Sequence, residues 1–142
     1  MIFGKRERRI RRILIVEDEP LVAFDNEMML QDAGYEVVAT VDSFADAAEA
    51  IEAHEIDLVL TDLNLSGEGD GTDVARAAAA KDIPVLFVTG NCTEAAQGLA
   101  LGCLTKPYSE RALLNALRAI DDHLQGNKVK KLPEELVLYI SA

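Results

Sequence analysis

The chain has 142 residues, 49% hydrophobic and 27% charged, with Lys+Arg 14 against Asp+Glu 25, a length that supports one hydrophobic core and is short for two. The net charge of -11 is unevenly placed: residues 1–12 hold six bases (Lys5, Arg6, Arg8, Arg9, Arg11, Arg12) and one acid, Glu7, ahead of a strongly acidic body. Such a body is repelled by phosphate backbones, which argues against nucleic-acid binding by anything but the head and favours cations and basic surfaces as partners.

In chain order, residues 1–10 read as a disordered, solubilising basic arm with no activity assigned to it. The apolar run over 13–16 is cut short by Glu17, Asp18 and Glu19, too early for a signal peptide or a membrane span, so a cytoplasmic protein is expected. Runs over 13–16, 58–61, 84–89 and 103–105 read as buried parallel strands, and 35–41, which alternates more, as an edge strand. Helical patterns over 21–33, 44–54, 72–81, 93–99 and 109–124 fall between and after them. Gly34 is a plausible C-terminal cap, and Ser43 and Ser109 are plausible N-caps. His54 and His123 sit near helix ends and are read as exposed rather than catalytic.

Cys92 and Cys103 have neither metal-site spacing nor histidines nearby and read as buried small hydrophobes in a reducing compartment. The domain is expected over 11–125. An extension over 126–142 carries Lys128, Lys130 and Lys131 and then an apolar run from Leu136 to Ile140. It reads either as a sixth element packed on the domain or as a cover over a partner surface.

Five strands alternating with five helices make an α/β chain, and right-handed crossovers place helices on both faces of a parallel sheet. Ligands then bind at the carboxyl ends of the strands. Those ends carry Glu17-Asp18, Asp62, Thr89-Gly90 and Lys106-Pro107. Three crowded carboxylates need a cation to stay ionised together, and a hard divalent ion such as Mg2+ suits oxygen donors. With Glu17 and Asp18 assigned to the ion, Asp62 is available as a nucleophile toward a phosphoryl group, with Thr89 and Lys106 on its oxygens.

The motifs ILIVEDEP, LVLTDLNL, PVLFVTGN and CLTKPY, in this order, resemble those of the receiver domain of response regulators. The resemblance implies a flavodoxin-like doubly wound five-stranded parallel sheet of order 2-1-3-4-5 with five helices on two faces. It implies phosphorylation of Asp62 by a histidine kinase phosphohistidine in a two-component phosphorelay, without a conventional enzymatic activity. Asp18, Asp62 and the Asn64 backbone carbonyl are implied to hold Mg2+, with Glu17 helping through water. Thr89 and Lys106 are implied to sense the phosphoryl group, and Lys106-Pro107 to be cis.

Cys103 stands where the family usually carries a switch aromatic, and 66–71, with three glycines, lacks the usual proline, so that loop is expected to be mobile. PVLFVTG resembles the signature of the "FAT GUY" single-domain receivers of alphaproteobacteria, which implies HWE-type histidine kinases and stress signalling, with output through an unidentified protein partner and a monomer or a phosphorylation-dependent dimer. Two rivals remain. One is a small haloacid-dehalogenase-like phosphohydrolase, weakened by Asn64, because a neutral amide cannot relay a proton. The other is a pseudo-receiver that binds partners without phosphorylation.

Overall fold

The computed structural model describes residues 8–92, 98–127 and 135–139. In chain order the elements are β1 (Arg12–Val16), α1 (Pro20–Asp32), β2 (Glu36–Val41), α2 (Phe44–Ala53), β3 (Leu58–Asp62), α3 (Gly71–Ala79), β4 (Val85–Thr89), β5 (Gly102–Thr105), α4 (Glu110–Leu124) and β6 (Leu136–Leu138). They form one sheet of order β2-β1-β3-β4-β5-β6. The first five strands are parallel, and β6 runs antiparallel to β5.

Alternate side chains of the central strands enter opposite cores, the period-two rule of an extended chain. Ile13, Ile15, Leu58, Leu60, Leu86 and Val88 pack with Leu30 of α1 and Leu113, Leu117 and Ile120 of α4. Leu14, Val16, Val59, Val85 and Phe87 pack with Ala47 and Ile51 of α2 and Val74 and Ala78 of α3. Helices therefore cover both faces, which is why β1, β3 and β4 read as unbroken apolar runs rather than alternating ones. Ser43 and Ser109 accept from the backbone N–H groups of Asp46 and Ala112, capping α2 and α4 as their sequence positions suggest.

The parallel order 2-1-3-4-5 that the resemblance implied is present, and only its strand count needs correcting: β6 adds a sixth strand, antiparallel to β5. Its approach is close enough that a Cβ on Gly102 would stand 2.9 Å from the Val137 carbonyl oxygen. Four helices lie among the described residues; the fifth, expected over 93–99, falls largely outside them, as do Lys5, Arg6, Lys128, Lys130, Lys131 and Ile140.

Residues 8–10, read from sequence as part of an arm, pack on the domain. Ile10 is fully buried. The Asp121 carboxylate on α4 accepts from the backbone N–H of Arg9 at 3.1 Å and of Ile10 at 3.0 Å. Asp57 accepts from the N–H groups of Arg11 and Arg12 at 2.9 and 2.8 Å, and the Arg8 guanidinium lies 4.3 Å from the Tyr35 ring centroid. Two carboxylates thus hold the backbone entering β1, and a cation–π contact covers its edge.

Candidate functional site

The parallel strands bring their carboxyl ends to one edge, and with them Glu17 and Asp18 after β1, Asp62 at the end of β3, Thr89 at the end of β4 and Lys106 after β5. Lys106 is the hub. Its Nζ donates to Glu17 Oε1 and to Asp62 Oδ2, both at 2.7 Å. Glu17 is 2% and Asp62 7% exposed, so both carboxylates face the ammonium with little water to share the load. Burial pushes the Glu17 carboxyl up, and its hydrogen bond from Lys106 opposes that rise. Burial alone would draw the Lys106 ammonium down, but hydrogen bonds to Asp62 and Glu17 outweigh it and hold the group above its usual range. Lys106 is therefore charged at any physiological pH.

The other carboxylate oxygens have defined partners. Glu17 Oε2 accepts from the Glu19 N–H at 3.0 Å, and Asp62 Oδ1 from the Asn64 N–H at 3.0 Å. Asp18 Oδ2 accepts from the Ser66 N–H at 3.1 Å and from the Ser66 hydroxyl at 2.8 Å. One oxygen from each of Glu17, Asp18 and Asp62 lies within 4.8 Å of the others. Three converging carboxylate oxygens are the donor chemistry that a hard divalent cation takes, and a single ammonium leaves the cluster net negative, so these residues fit such an ion.

Thr89 is buried, and its hydroxyl oxygen receives long contacts from Asn64 Nδ2 and the Asn91 N–H, both at 3.5 Å. Those bonds are at the weak limit of the geometry, so little holds the hydroxyl against a stronger partner. The Lys106-Pro107 bond is cis, as the resemblance implied. Just beyond it the Tyr108 hydroxyl donates to Asn26 Oδ1 on α1 at 3.1 Å.

Sequence reasoning missed three supports. Gly71 opens α3 against the end of β3: a Cβ there would meet the Asp62 carbonyl oxygen at 2.2 Å and Leu63 Cα at 2.7 Å. Ser66 ties the glycine-rich loop to Asp18. At the loop's far end Asp70 and Asp73 form a capping box on α3, so the stretch over 66–71 is anchored at both ends although its glycines suggested mobility. Asp70 followed by an acid at the third helical position was the signal available for the cap.

Cys103 is fully buried in β5, and its sulfur is bonded to that of Cys92. The reading of two separate buried thiols is thus corrected. Eleven residues apart in sequence, the pair has Cα atoms 6.0 Å apart, because β4 and β5 are neighbours and place the loop after one beside the middle of the other, within disulfide reach.

Comparison with known proteins places the chain in a family. The family model of the response regulator receiver domain matches residues 13–118. The chain belongs to that family. The receiver is 40% identical over 114 residues to the sensory transduction protein RegX3 of Mycobacterium bovis, covering 76% of this chain and 49% of RegX3. It is 36% identical over 113 residues to the transcriptional regulatory protein PdtaR of Mycobacterium tuberculosis, covering 75% of this chain and 55% of PdtaR. The chain thus spans about half the length of these curated relatives. Among solved structures it is similar to the receiver domain of the sensor histidine kinase PA1611 from Pseudomonas aeruginosa, with a TM-score of 0.68 and 27% identity over 76% of this chain and 94% of that one. That structure has a magnesium ion coordinated in its active-site cleft.

Membership settles the choice between a receiver and a haloacid-dehalogenase-like phosphohydrolase in favour of the receiver. No helix among the described residues is long and apolar enough to cross a membrane.

Proposed function

We propose that this receiver accepts a phosphoryl group on Asp62 from the phosphohistidine of a histidine kinase and acts through a partner protein that recognises the phosphorylated form. The observation that carries the reading is the Lys106 ammonium held 2.7 Å from both Asp62 and Glu17. In the transfer an Asp62 oxygen attacks phosphorus, a P–O bond forms, the P–N bond to histidine breaks, and the electron pair leaves with the imidazole. A dissociative transfer of this kind is limited by positioning and charge. The Asn64 N–H on Oδ1 and Lys106 on Oδ2 fix the carboxylate plane. Asp18, Asp62 and the Asn64 carbonyl would hold Mg2+, with Glu17 assisting. When bound, the ion offsets the negative charge of the carboxylates and of the transferring oxygens.

Once Asp62 carries the phosphoryl group as an acyl phosphate, its phosphoryl oxygens are the strongest acceptors in the cleft. Lys106 then has a reason to exchange a carboxylate for one of them, and the Thr89 hydroxyl, weakly engaged at 3.5 Å, has one to turn inward. Differential contacts of this kind are what shift a two-form equilibrium. Residues 11–125 form the working unit in this reading, the protein is cytoplasmic, and the resemblance of PVLFVTG to FAT GUY receivers supports HWE-type kinases and a stress response as input and output.

The test is acetyl phosphate labelling of the protein and of Asp62→Ala, with and without Mg2+, followed by intact mass. One phosphoryl group that needs both Asp62 and the ion is expected. Failure of the parent protein to label leaves the pseudo-receiver as the better reading, and labelling that survives in Asp62→Ala sinks the assignment of the acceptor.

A further inference from the structure

We infer that the Cys92–Cys103 pair is a redox modification site, a disulfide exchanged with low-molecular-weight thiols that sets how readily the receiver responds to phosphorylation; its second half rests on the phosphoacceptor reading above. The two sulfurs sit in unlike surroundings. Cys103 is fully buried in β5, flanked in register by Phe87 of β4 and Val137 of β6, so it belongs to the rigid sheet. Cys92 is half-buried, three residues after Thr89 and next to Asn91, whose N–H reaches the Thr89 hydroxyl. The bond therefore ties the segment leaving Thr89 to the strand that leads into Lys106. Thr89 and Lys106 are the residues that must rearrange around a phosphoryl group, and a covalent tie between the chain segments next to them restricts that rearrangement.

The geometry also assigns an order to the chemistry. Cys92 is half-buried where Cys103 is fully buried, so its sulfur is the more open of the two to an incoming thiolate, and it lies 3.4 Å from the Thr105 hydroxyl. With no proton on a disulfide sulfur, that hydroxyl is the donor, and it is placed to stabilise the negative charge that reaches Cys92 when the second thiolate opens the mixed disulfide. A glutathione thiolate attacks Cys92 Sγ, the S–S bond breaks, and its electron pair passes to Cys103 Sγ, which takes up a proton. A second thiolate attacks the glutathione sulfur of the mixed disulfide and releases Cys92, which is protonated in turn. Two glutathiones are oxidised to one glutathione disulfide, and the protein disulfide is reduced to two thiols. Run backwards with glutathione disulfide as oxidant, the same steps close the bond.

The experiment equilibrates the full chain in glutathione buffers of graded reduced-to-oxidised ratio, alkylates one portion with iodoacetamide in denaturant, so that the buried Cys103 is reached, and reads its intact mass, and labels the unalkylated remainder with acetyl phosphate and Mg2+. Two alkylated thiols at the reducing end, none at the oxidising end and a reversible transition between them are expected. The oxidised form is expected to label at least threefold more slowly, and Cys92→Ser to label at the reduced rate in every buffer. A thiol count that stays the same across the series overturns the site, and equal labelling rates in both forms overturn its effect. Should neither form label, the phosphoacceptor reading fails by itself, and amide hydrogen exchange over residues 89–92 decides: exchange at least threefold slower in the oxidised form upholds the tether, and equal exchange rejects it.

Discussion

Replacing Lys106 by methionine removes the ammonium and leaves its apolar stem, so packing is largely kept while two buried carboxylates lose their shared cation. Each contact is 2.7 Å long, which at an effective dielectric of about 20 gives a gross attraction of about 6 kcal/mol. Most of that offsets the desolvation of three charges and is not net stability. What the variant exposes is the repulsion left behind, and this has a ceiling, because one carboxylate can escape it by taking a proton. Protonating an ordinary glutamate at pH 7 costs about 3.5 kcal/mol, and Glu17, already pushed up by burial, is the group placed to do so. A loss of about 3 kcal/mol at pH 7 is therefore expected, a fall of about 1.5 M in the urea midpoint for a slope of about 2 kcal/mol per molar. The sign with pH follows from the raised Glu17: its protonated form is favoured in the fold, so the deficit is present at neutral pH and fades as the pH falls toward the ordinary glutamate value. Mg2+ at ten times its dissociation constant should return about 1.4 kcal/mol. Urea unfolding of the two proteins at pH 7 and pH 5, with and without the ion, makes the measurement. A loss below about 1 kcal/mol at pH 7, or one that is the same at pH 5, refutes the account of Lys106 as the counter-charge to both acids.

Gly71→Ala places a methyl group 2.2 Å from the Asp62 carbonyl oxygen, so either α3 or the end of β3 must move. A loss of about 1–3 kcal/mol in thermal unfolding and slower acetyl phosphate labelling are expected together, and stability lost with labelling intact would mean that the shift falls on α3 alone. Asp121→Ala strips the backbone N–H groups of Arg9 and Ile10 of their acceptor, and about 1–3 kcal/mol of stability should go with it, accompanied by faster amide exchange in residues 9–10. On α1, Leu21, Phe24 and Met28 are exposed and share one face by their spacing, beside the acids at the helix start. Phe24→Glu should slow transfer from a kinase phosphohistidine while leaving acetyl phosphate labelling within twofold, and a parallel fall in both rates removes the helix from kinase docking.

The parts of this molecule that were legible in its sequence are those whose physics is local. Central strands buried on both faces must be apolar throughout, so β1, β3 and β4 announce themselves within a residue or so of their ends. The site was legible because each of its groups terminates such a strand, where an acid, a hydroxyl or an ammonium stands out against the apolar run before it. What could not be read depends on distance in space rather than along the chain. Asp57 and Asp121 hold backbone N–H groups at residues 9–12, and nothing in their sequence neighbourhoods marks them as acceptors for that segment. Cys92 and Cys103 pair only because β4 and β5 are adjacent. Gly71 matters because another backbone passes it, and the run from Leu136 to Leu138 is apolar without stating which edge it joins or in which direction.

That last strand has a consequence for the protein at high concentration. A parallel sheet closed on its far side by β5 would offer a row of unpaired N–H and C=O groups to any other chain, a template for intermolecular pairing. Instead Leu136, Val137 and Leu138 oppose Leu104, Cys103 and Gly102 in register, and the flanking bonds from the Thr105 N–H to Glu135 and from the Tyr139 N–H to Leu101 close the inner row at both ends. The boundary that β6 presents outward is three residues long, too short to seed a continuous sheet between molecules. The strand thus acts as a guard against self-association along this edge, leaving β2 at the opposite margin as the longer exposed template.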